Sequence, residues 1–356
     1  MRVVQIIDSL HPGGSERIAV SMANGLAGKV EVSHICVTRE EGILKETICK
    51  KVQYLYLNKK STLDFRAFKK LCWYVETNKI NVVHAHSTSY FLATLLKIRF
   101  PKLRLIWHNH FGNSRDLTSF RFKLLKACSR FFDASIAVNH DLMEWALQYL
   151  KCTEVYYLEN FVDVNQTLGN AIQLKGIKGK RIVCLANFRP EKDHLSLLRA
   201  FLVVSAKHPD WSLHLIGKAT NSSYTKEIKE FICENFLHNV YLYGAQLHIL
   251  GCLQQADIGV LSSKFEGLPV SLLEYGLAKL AVVCTDVGQC RAFVNNLGIL
   301  VPPQSSYELA EGLIYFIENL KERRELSEKY YEKIKKENTF ESVSNKLLSI
   351  YHVNRI

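Results

Sequence analysis

The sequence predicts an α/β protein of two Rossmann-like domains in tandem. Short apolar runs alternate with stretches whose apolar residues recur at helical spacing, which is typical of parallel sheets built from strand–helix–strand units. The alternation restarts near residue 180, and 356 residues suffice for two domains of ordinary size. Two open sheets side by side are expected to leave a cleft at the carboxyl ends of their strands, so the residues that follow the strands are the candidates for ligand binding.

The first domain is expected over residues 1–165, where six apolar runs predict strands. These runs are VVQIID (3–8), VSHICVT (32–38), NVVHAH (81–86), RLIWH (104–108), ASIAVN (134–139) and YYLENFVDV (156–164). The polar, glycine-containing stretch that follows, at 166–179, is predicted to be a linker.

The second domain is expected over residues 180–335, where the alternation resumes. The predicted strands are RIVCLANF (181–188), SLHLIG (212–217), NVYLYG (239–244), ADIGVLSS (256–263) and LAVVCTDVG (280–288). After residue 305 the chain has the periodicity of an amphipathic helix. A last helix is predicted at 340–353, and the segment 340–356 is expected to pack back on the first domain.

Composition and charge exclude several classes of protein. Hydrophobic residues make up 48% of the chain and charged residues 22%, as in folded globular domains, and the net charge of +12 favours anionic partners. The basic residues are spread over many predicted helices and no zinc-finger spacing occurs, so no nucleic-acid partner is expected. Ten cysteines without a CxxC pair indicate reduced, buried thiols. With no signal peptide and no apolar run of membrane-spanning length, we expect a cytoplasmic protein, at most peripheral on the inner face of the cell membrane.

A glycine pair follows the first strand. SLHPGGSER places Gly13 and Gly14 before a helix that is predicted to start near Ser15. Glycines allow backbone N–H groups to approach an anion closely, and a helix N-terminus adds a partial positive charge. The segment lacks the GxGxxG spacing of a dinucleotide site, and a plain structural turn is the alternative.

Two glutamates flank a predicted helix start after the strand at 256–263. Glu266 lies in a short loop, Pro269 suits the first helical turn, and Glu274 lies on the helix. Both carboxylates can accept hydrogen bonds from a hydroxyl-rich ligand such as a sugar or a ribose. The alternative is a capping acid together with a solvated helical glutamate.

Four segments carry a resemblance to a known family. EGLPVSLLEYG resembles the Glu-x7-Glu motif of the family 4 retaining glycosyltransferases, and GGSER resembles their Gly-Gly-x-Glu-Arg turn. NVVHAHS (81–87) and TDVGQCRAFVNNLGILVPP (285–303) are similar to two further segments of that family, in the same order. The resemblance implies the GT-B fold and an EC 2.4 enzyme that transfers a sugar from a nucleotide-diphosphate donor, with UDP as the expected nucleotide. It also implies a glycan or lipid-linked acceptor of bacterial surface polysaccharide or lipopolysaccharide synthesis, with neither metal nor cofactor.

The resemblance assigns roles to the segment around the two glutamates. Glu266 would hold a hydroxyl of the donor sugar, and Glu274 would bind the ribose of the nucleotide. The backbone between them would approach the donor at Gly267, Leu268, Pro269 and Val270. Thr285, Asp286 and Gly288 match the loop that follows in the family.

The segment ANFRPEKDH (186–194) matches the family's diphosphate-binding loop with one departure. Lys192 matches the family's lysine, but Asn187 stands where the family has an arginine. Either Arg189, two residues further on, supplies the second positive charge, or Asn187 only hydrogen-bonds the phosphate. Stabilising the leaving group is expected to be a large part of catalysis, so the departure matters.

Two His-x-His pairs end neighbouring strands. In the family a histidine near the reacting sugar follows the strand at 104–108, and His110 fits it best, with His108 as the alternative. The resemblance thus implies His110, Lys192 and Glu266 as catalytic residues. His84 and His86 form the other pair. Such pairs can bind a metal, but no acidic residue completes either, which favours packing and hydrogen bonding.

A basic amphipathic stretch at 116–135 has two interpretations. It could dock on an anionic membrane surface, where a lipid-linked acceptor would be met, or its apolar stripe could pack on its own sheet.

The expected mechanism follows from the resemblance. The donor would bind mainly to the second domain, its diphosphate between the Lys192 loop and the Gly13–Gly14 turn, and the acceptor to the first domain. No carboxylate nucleophile can be nominated, which favours a front-face reaction. Two other classes stay open: a sugar-nucleotide epimerase of the same fold, and an inactive nucleotide-sugar-binding subunit.

Overall fold

A computed structural model describes residues 1–110, 119–163, 169, 171–219, 222–267 and 269–352. The chain forms two compact units, one of Met1–Asp163 with Phe340–Ile356 and the other of Val164–Thr339. The sequence-based boundaries were 1–165, with 340–356 returning to it, and 180–335. Among the described residues, no helix is long and apolar enough to cross a membrane.

The first unit contains a parallel sheet of seven strands. They are β1 (Arg2–Ser9), β2 (Val32–Glu40), β3 (Gln53–Tyr56), β4 (Val82–His86), β5 (Arg104–Asn109), β6 (Ala134–Ala137) and β7 (Val155–Tyr157). Their order is β3-β2-β1-β4-β5-β6-β7, with neighbouring strands parallel.

Helices cover the sheet of the first unit. They are α1 (Gly14–Leu26), α2 (Phe65–Thr77), α3 (Tyr90–Arg99), α4 (Phe120–Cys128) and α5 (His140–Tyr149). Buried apolar residues of α2, α3, α4 and α5 share one core with the strands, so these four helices form one layer. The short connections between successive elements bring the helix N-termini to the carboxyl ends of the strands.

The second unit contains a parallel sheet of six strands. They are β8 (Arg181–Leu185), β9 (Ser212–Ile216), β10 (Val240–Leu242), β11 (Ile258–Leu261), β12 (Ala281–Thr285) and β13 (Ile299–Val301). Their order is β10-β9-β8-β11-β12-β13. The helices are α6 (His194–Lys207), α7 (Ser223–Glu234), α8 (Ile249–Leu253), α9 (Val270–Leu277), α10 (Cys290–Val294), α11 (Ser306–Glu318) and α12 (Leu320–Glu337).

The last helix, α13 (Phe340–His352), belongs to the first unit and packs against α1. A Cβ atom on Gly25 of α1 would lie 2.4 Å from the ring of Phe340, so only glycine permits this approach. Lys29 pairs with Glu341 at 2.8 Å. The Arg104 side chain of β5 donates a hydrogen bond to the Ile350 carbonyl at 2.8 Å.

The sequence missed the edge strands β3 and β13 and misjudged two segments. Both strands are short and lie at the edges of their sheets, where one side has no partner strand and apolar patterning is weak. The strand predicted at 156–164 is wrong beyond Tyr157, where β7 ends. The helical run after residue 305 is interrupted at Asn319, whose backbone (φ −108°, ψ 65°) is not helical.

Candidate active site

In the second unit, the loops after β8 and β11 bring Lys192 and Glu266 together. These strands are neighbours in the sheet, so their carboxyl ends lie side by side. The Lys192 ammonium donates to the Glu266 carboxylate at 2.5 Å, and the Ser263 hydroxyl donates to the same oxygen at 2.6 Å. The Glu266 side chain is 7% exposed and that of Lys192 is 24% exposed. An anion could therefore reach the cation from one side.

Further hydrogen bonds hold these two loops in place. The Ser262 hydroxyl donates to the Lys192 carbonyl at 2.9 Å, and the Thr285 hydroxyl donates to the Ser263 carbonyl at 2.7 Å. The Thr285 bond ties the end of β12 to the Glu266 loop. The positions of the ammonium and the carboxylate are thus fixed by three strand ends.

The backbone of Gly288 packs directly against the backbone of the Glu266 loop. Its φ of +53° lies in the left-handed region, and a Cβ atom there would come within 2.0 Å of the Glu266 carbonyl oxygen. The Gln289 amide donates to the Gly267 carbonyl at 3.2 Å. The segment that resembles the family's second loop therefore shapes the backbone around Glu266.

The other predicted site residues of the second unit lie around the start of α9. Pro269 is the N-cap of this helix, and Val270 is its first residue. Glu274 lies one turn further on and is 4% exposed, which rules out the solvated helical glutamate that was the alternative interpretation. Leu268 lies outside the described residues. A helix start that faces a hydroxyl-rich or anionic ligand is chemically suitable for binding it.

Asn187 and Arg189 differ in their surroundings. The Asn187 side-chain oxygen accepts a hydrogen bond from the Lys218 amide at 2.8 Å, which joins the loops after β8 and β9. The Arg189 side chain is 64% exposed and lies 3.8 Å from the Glu191 carboxylate. Arg189 can therefore turn towards an anion at little cost, whereas Asn187 is engaged in holding the loop.

In the first unit, the glycine pair precedes α1 as predicted. Gly13 is the N-cap, with extended backbone, and the helix begins at Gly14. A Cβ atom on Gly13 would lie 2.3 Å from a carboxylate oxygen of Glu16, so this turn and the Glu16 side chain are closely packed. The carboxylate lies in the first turn of the helix, where the helix dipole favours negative charge. A phosphate approaching this turn would meet the Glu16 carboxylate.

Both His-x-His pairs lie on one face of the first unit's sheet. His84 pairs in register with Gln5 of β1, and His86 pairs with His108 of β5. Because side chains alternate along a strand, His110 follows on the same face. Gln5, His84 and His86 are fully buried, and His110 is half-buried at the carboxyl end.

Burial keeps these imidazoles neutral. It lowers the pKa of His110 to about 3, and burial with the neighbouring His110 lowers that of His84 to about 3. The pKa values of His86 and His108 lie well below the usual value for the same reasons. A neutral imidazole has one N–H donor and one nitrogen acceptor, so each ring can relay a hydrogen bond.

Among the described residues, His84, His86 and His108 form a group that could hold a metal ion. One ring nitrogen of each lies within 4.8 Å of the others. A ligating lone pair lies in the plane of its ring, and the rings of His84 and His86 are stacked at 8° with centroids 4.5 Å apart. Their lone pairs therefore run side by side instead of converging. Hydrogen bonding fits the arrangement better, and the absence of a metal stays a prediction.

Sequence reasoning missed three residues at these sites. Gln5 is a lone polar residue in the apolar run VVQII, which could have marked it. Ser263 follows a strand directly, where ligand-side residues are expected, and it bonds Glu266. The hydroxyl of Tyr351, on α13, is hydrogen-bonded to His84 Nδ1 at 2.6 Å, although the two residues are 267 positions apart in the sequence. No local pattern signals such a contact.

The described part of the stretch 116–135 is only partly consistent with a membrane surface. Leu125 and Cys128 of α4 are buried in the core of the first unit, as the alternative interpretation expects. Three other residues of α4 are exposed, as a membrane-facing surface requires: Phe120, which is 78% exposed, Arg121 and Lys123. Residues 116–118 lie outside the described residues.

Two family models match the chain, one in each half. The model described as Glycosyltransferase Family 4 matches residues 12–166, and the model described as Glycosyl transferases group 1 matches residues 170–333. The second match contains Lys192, Glu266 and Glu274.

Several known proteins are similar to this chain. The O-antigen biosynthesis glycosyltransferase WbnH of Escherichia coli is 24% identical over 307 residues, which cover 83% of this chain and 84% of the relative. A Campylobacter jejuni enzyme, N-acetylgalactosamine-N,N'-diacetylbacillosaminyl-diphospho-undecaprenol 4-alpha-N-acetylgalactosaminyltransferase, is 24% identical over 234 residues, covering 65% of this chain and 55% of that enzyme. The crystal structure of Anabaena Alr3699/HepE with UDP and glucose aligns with a TM-score of 0.82 and 15% identity, over 99% of both chains. The predicted fold class of two Rossmann-like domains is confirmed.

Proposed function

Because this chain belongs to the glycosyltransferases of the family 4 and group 1 type, we propose that it is a retaining enzyme that uses a UDP-sugar. It transfers the sugar to a glycan or lipid-linked acceptor during synthesis of a bacterial surface polysaccharide or lipopolysaccharide. The observation that carries the proposal is the pairing of Lys192 with Glu266 at the carboxyl ends of adjacent strands.

The donor's two chemical parts match this pair. A diphosphate needs positive charge, which Lys192 supplies and Arg189 can increase. A sugar ring offers hydroxyl groups, which the Glu266 carboxylate accepts. The pair is 2.5 Å apart, so a bound donor separates the two groups and satisfies each with its own partner. Glu274, buried on α9, is suited to a ribose hydroxyl. The UDP and glucose bound to Alr3699/HepE support UDP as the nucleotide.

The acceptor class is supported by the names of relatives. WbnH is named for O-antigen biosynthesis, and the Campylobacter enzyme is named for a diphospho-undecaprenol substrate. An acceptor attached to such a lipid lies at a membrane surface. We therefore also propose association with the inner face of the cell membrane, through exposed basic and apolar residues of α4 within 116–135.

The proposed reaction retains the configuration of the anomeric carbon by a front-face route. The bond from this carbon to the diphosphate breaks while the acceptor oxygen bonds to the same face. The acceptor's proton passes to the departing phosphate oxygen. Lys192 stabilises the charge that develops on the diphosphate, and Glu266 holds the sugar in position. No metal or cofactor takes part in this proposal.

A donor screen tests the proposal. Purified protein is incubated with UDP-, GDP- and ADP-sugars, and the thermal shift and slow hydrolysis of the donor are measured. We expect a shift with UDP-sugars that is lost in Glu274→Ala and retained in Glu234→Ala, an exposed glutamate on α7. Lys192→Met should lower turnover by about a hundredfold or more, as loss of a transition-state charge contact does.

The other outcomes identify the alternatives. Binding of a donor without hydrolysis or transfer indicates an inactive binding subunit. Conversion of the donor sugar to its epimer without an acceptor indicates an epimerase. No shift with any nucleotide sugar contradicts the assignment of Lys192, Glu266 and Glu274 to donor binding.

A further inference from the structure

A row of polar side chains crosses the centre of the first unit's sheet. Gln5, His84, His86 and His108 lie on three adjacent strands and are at most 1% exposed. Strands of a parallel sheet covered on both faces are usually apolar there, and a buried polar group without a hydrogen bond is costly. The row is therefore expected to be held by a defined set of hydrogen bonds.

One branch of these bonds leads from Gln5 to His110. The Gln5 amide oxygen lies 2.8 Å from His86 Nε2 and can only accept, so the His86 proton is on Nε2. His86 Nδ1 is then an acceptor, and it lies 3.0 Å from His110 Nε2. With the Gln5 amide in this orientation, His110 has its proton on Nε2. Its Nδ1 is left with the lone pair.

A second branch leads from Gln5 to His108. The Gln5 amide nitrogen donates to the Tyr351 hydroxyl at 3.2 Å, and this hydroxyl donates to His84 Nδ1 at 2.6 Å. His84 Nε2 then donates to His108 Nδ1 at 3.2 Å, and the buried His108 Nε2–H has no hydrogen-bond partner among the described residues. The two branches share only the Gln5 amide. Reversal of that amide would move the proton of His110 from Nε2 to Nδ1.

This series of hydrogen bonds requires that each histidine ring is neutral. A protonated imidazole has two N–H groups and no acceptor, which would break the relay at that ring. Burial lowers the pKa of His84 and His110 to about 3 and that of His86 and His108 well below the usual value. Tyr351 stays protonated because burial raises its pKa. The directions therefore hold at neutral pH.

We infer that Gln5, acting through His86, is a positioning residue that holds His110 in the Nε2–H tautomer. In this tautomer, Nδ1 of His110 accepts a hydrogen bond from a hydroxyl group of the bound sugar. The contact with sugar rests on the proposed function, whereas the tautomer rests on the geometry of the first unit alone. His110 follows β5 at the carboxyl end of the sheet and is half-buried, so its ring can meet a ligand.

Nitrogen NMR of histidine rings reads the tautomer directly. Protein with 15N-labelled histidine is recorded at pH 7, and the His110 signals are assigned with His110→Gln. We expect Nε2 of His110 to carry the proton in the wild type. A wild-type His110 protonated on Nδ1, or an equal mixture of the two forms, overturns the inference.

Variants separate positioning from packing. Gln5→Met keeps the length of the side chain and removes its acceptor, so His110 should become a mixture of tautomers. Gln5→Glu keeps an acceptor for His86 and should restore the wild-type tautomer. Tyr74→Phe is the matched control, because the Tyr74 hydroxyl bonds His34 of β2, outside this row, so its loss should leave His110 unchanged. An unchanged His110 tautomer in Gln5→Met contradicts the inference.

Kinetics with the UDP-sugar then test the consequence. Gln5→Met should lower kcat/KM by about tenfold, the effect of one lost hydrogen bond, and Gln5→Glu should recover most of it. If Gln5→Met does not fold, the wild-type spectrum and Gln5→Glu still decide the question. Failure to bind any nucleotide sugar contradicts the proposed function, but the tautomer is measured without a ligand and is unaffected.

Discussion

At the scale of residues, Lys192 and Glu266 form an ion pair that is partly open to solvent. Each stabilises the other while 24% of the Lys192 side chain remains exposed. In the proposed complex, the donor would supply a diphosphate for the cation and hydroxyl groups for the carboxylate, so neither charge would be left unpaired. Leaving one buried charge without its partner would be costly, which explains why the two residues occur together.

Gly288 gives a residue-scale prediction. Gly288→Ala would place a Cβ atom 2.0 Å from the Glu266 carbonyl oxygen, in a backbone conformation with φ of +53°. The Glu266 loop must then move. We expect kcat/KM for the donor to fall by tenfold or more, with a loss of about 1–3 kcal/mol in the free energy of unfolding. Kinetics and chemical denaturation measure the two effects.

Gly244→Ala is the control for this prediction. Gly244 also has a positive φ, +66°, but a Cβ atom there would meet nothing within 4 Å. This variant should therefore show the backbone strain without the displacement of Glu266. Equal donor kinetics in the two variants would contradict the role assigned to Gly288.

At the scale of elements, α2 competes with α4 as a membrane-facing helix. On α2, Phe65 is 76% exposed and Trp73 is 64% exposed. The same helix carries the exposed residues Arg66, Lys69 and Lys70. Aromatic residues among basic ones are typical of helices that lie on an anionic bilayer. The helix is capped by Asp64, which accepts hydrogen bonds from two backbone amides of its first turn.

Charge-reversal variants of each helix test which of the two binds lipid. Arg66→Glu with Lys69→Glu on α2, and Arg121→Glu with Lys123→Glu on α4, are compared by co-sedimentation with vesicles that contain anionic lipid. Basic residues near such a surface contribute about 1 kcal/mol each to binding. Charge reversal on the lipid-binding helix should therefore lower the partition coefficient of the protein onto vesicles by about tenfold or more.

A charge-matched variant of the second unit serves as the reference. Lys229→Glu with Lys321→Glu changes the net charge equally at exposed positions. Similar losses in all three double variants would indicate a general charge effect. No binding by the wild type would refute the membrane proposal without affecting donor binding.

At the scale of the whole molecule, buried histidines couple stability to pH. Their pKa values are lowered by burial, to about 3 for His84 and about 4 for His34 in the first unit. In the second unit, burial lowers the pKa of His194 and of His214 to about 4. The unfolded chain binds protons near pH 6.5, where the folded protein does not. Stability is therefore complete above that pH and falls as the pH drops towards 3–4.

Hydrogen exchange should show that acid destabilises the first unit more. Each such histidine costs at most about 1.4 kcal/mol per pH unit below 6.5, and five of them lie in the first unit against two in the second. After correction for intrinsic rates, opening of β4 and β5 should increase between pH 7 and pH 5 more than that of β8 and β11. Equal opening at both pH values would contradict the prediction.

The fold class could be predicted from the sequence, and so could the positions after β8 and β11 at which candidate ligand-binding residues lie. Periodicity records which face of each element is buried, so central strands such as β1, β4, β8 and β11 could be located. The motif around Glu266 and the lysine at 192 are local in sequence, and the family resemblance gave them roles. The edge strands β3 and β13 were missed because they are short and partly exposed, so burial leaves little pattern in their sequence.

Which distant residues meet depends on the tertiary structure. Lys192 and Glu266 are 74 residues apart, and their ion pair exists because β8 and β11 are neighbours in the sheet. Gln5 and Tyr351 meet the histidines because the register of three strands and the return of α13 bring both ends of the chain to one face. Hydrogen bonds and ion pairs depend on ångström-scale geometry between elements. Local sequence patterns encode burial, but they do not encode that geometry.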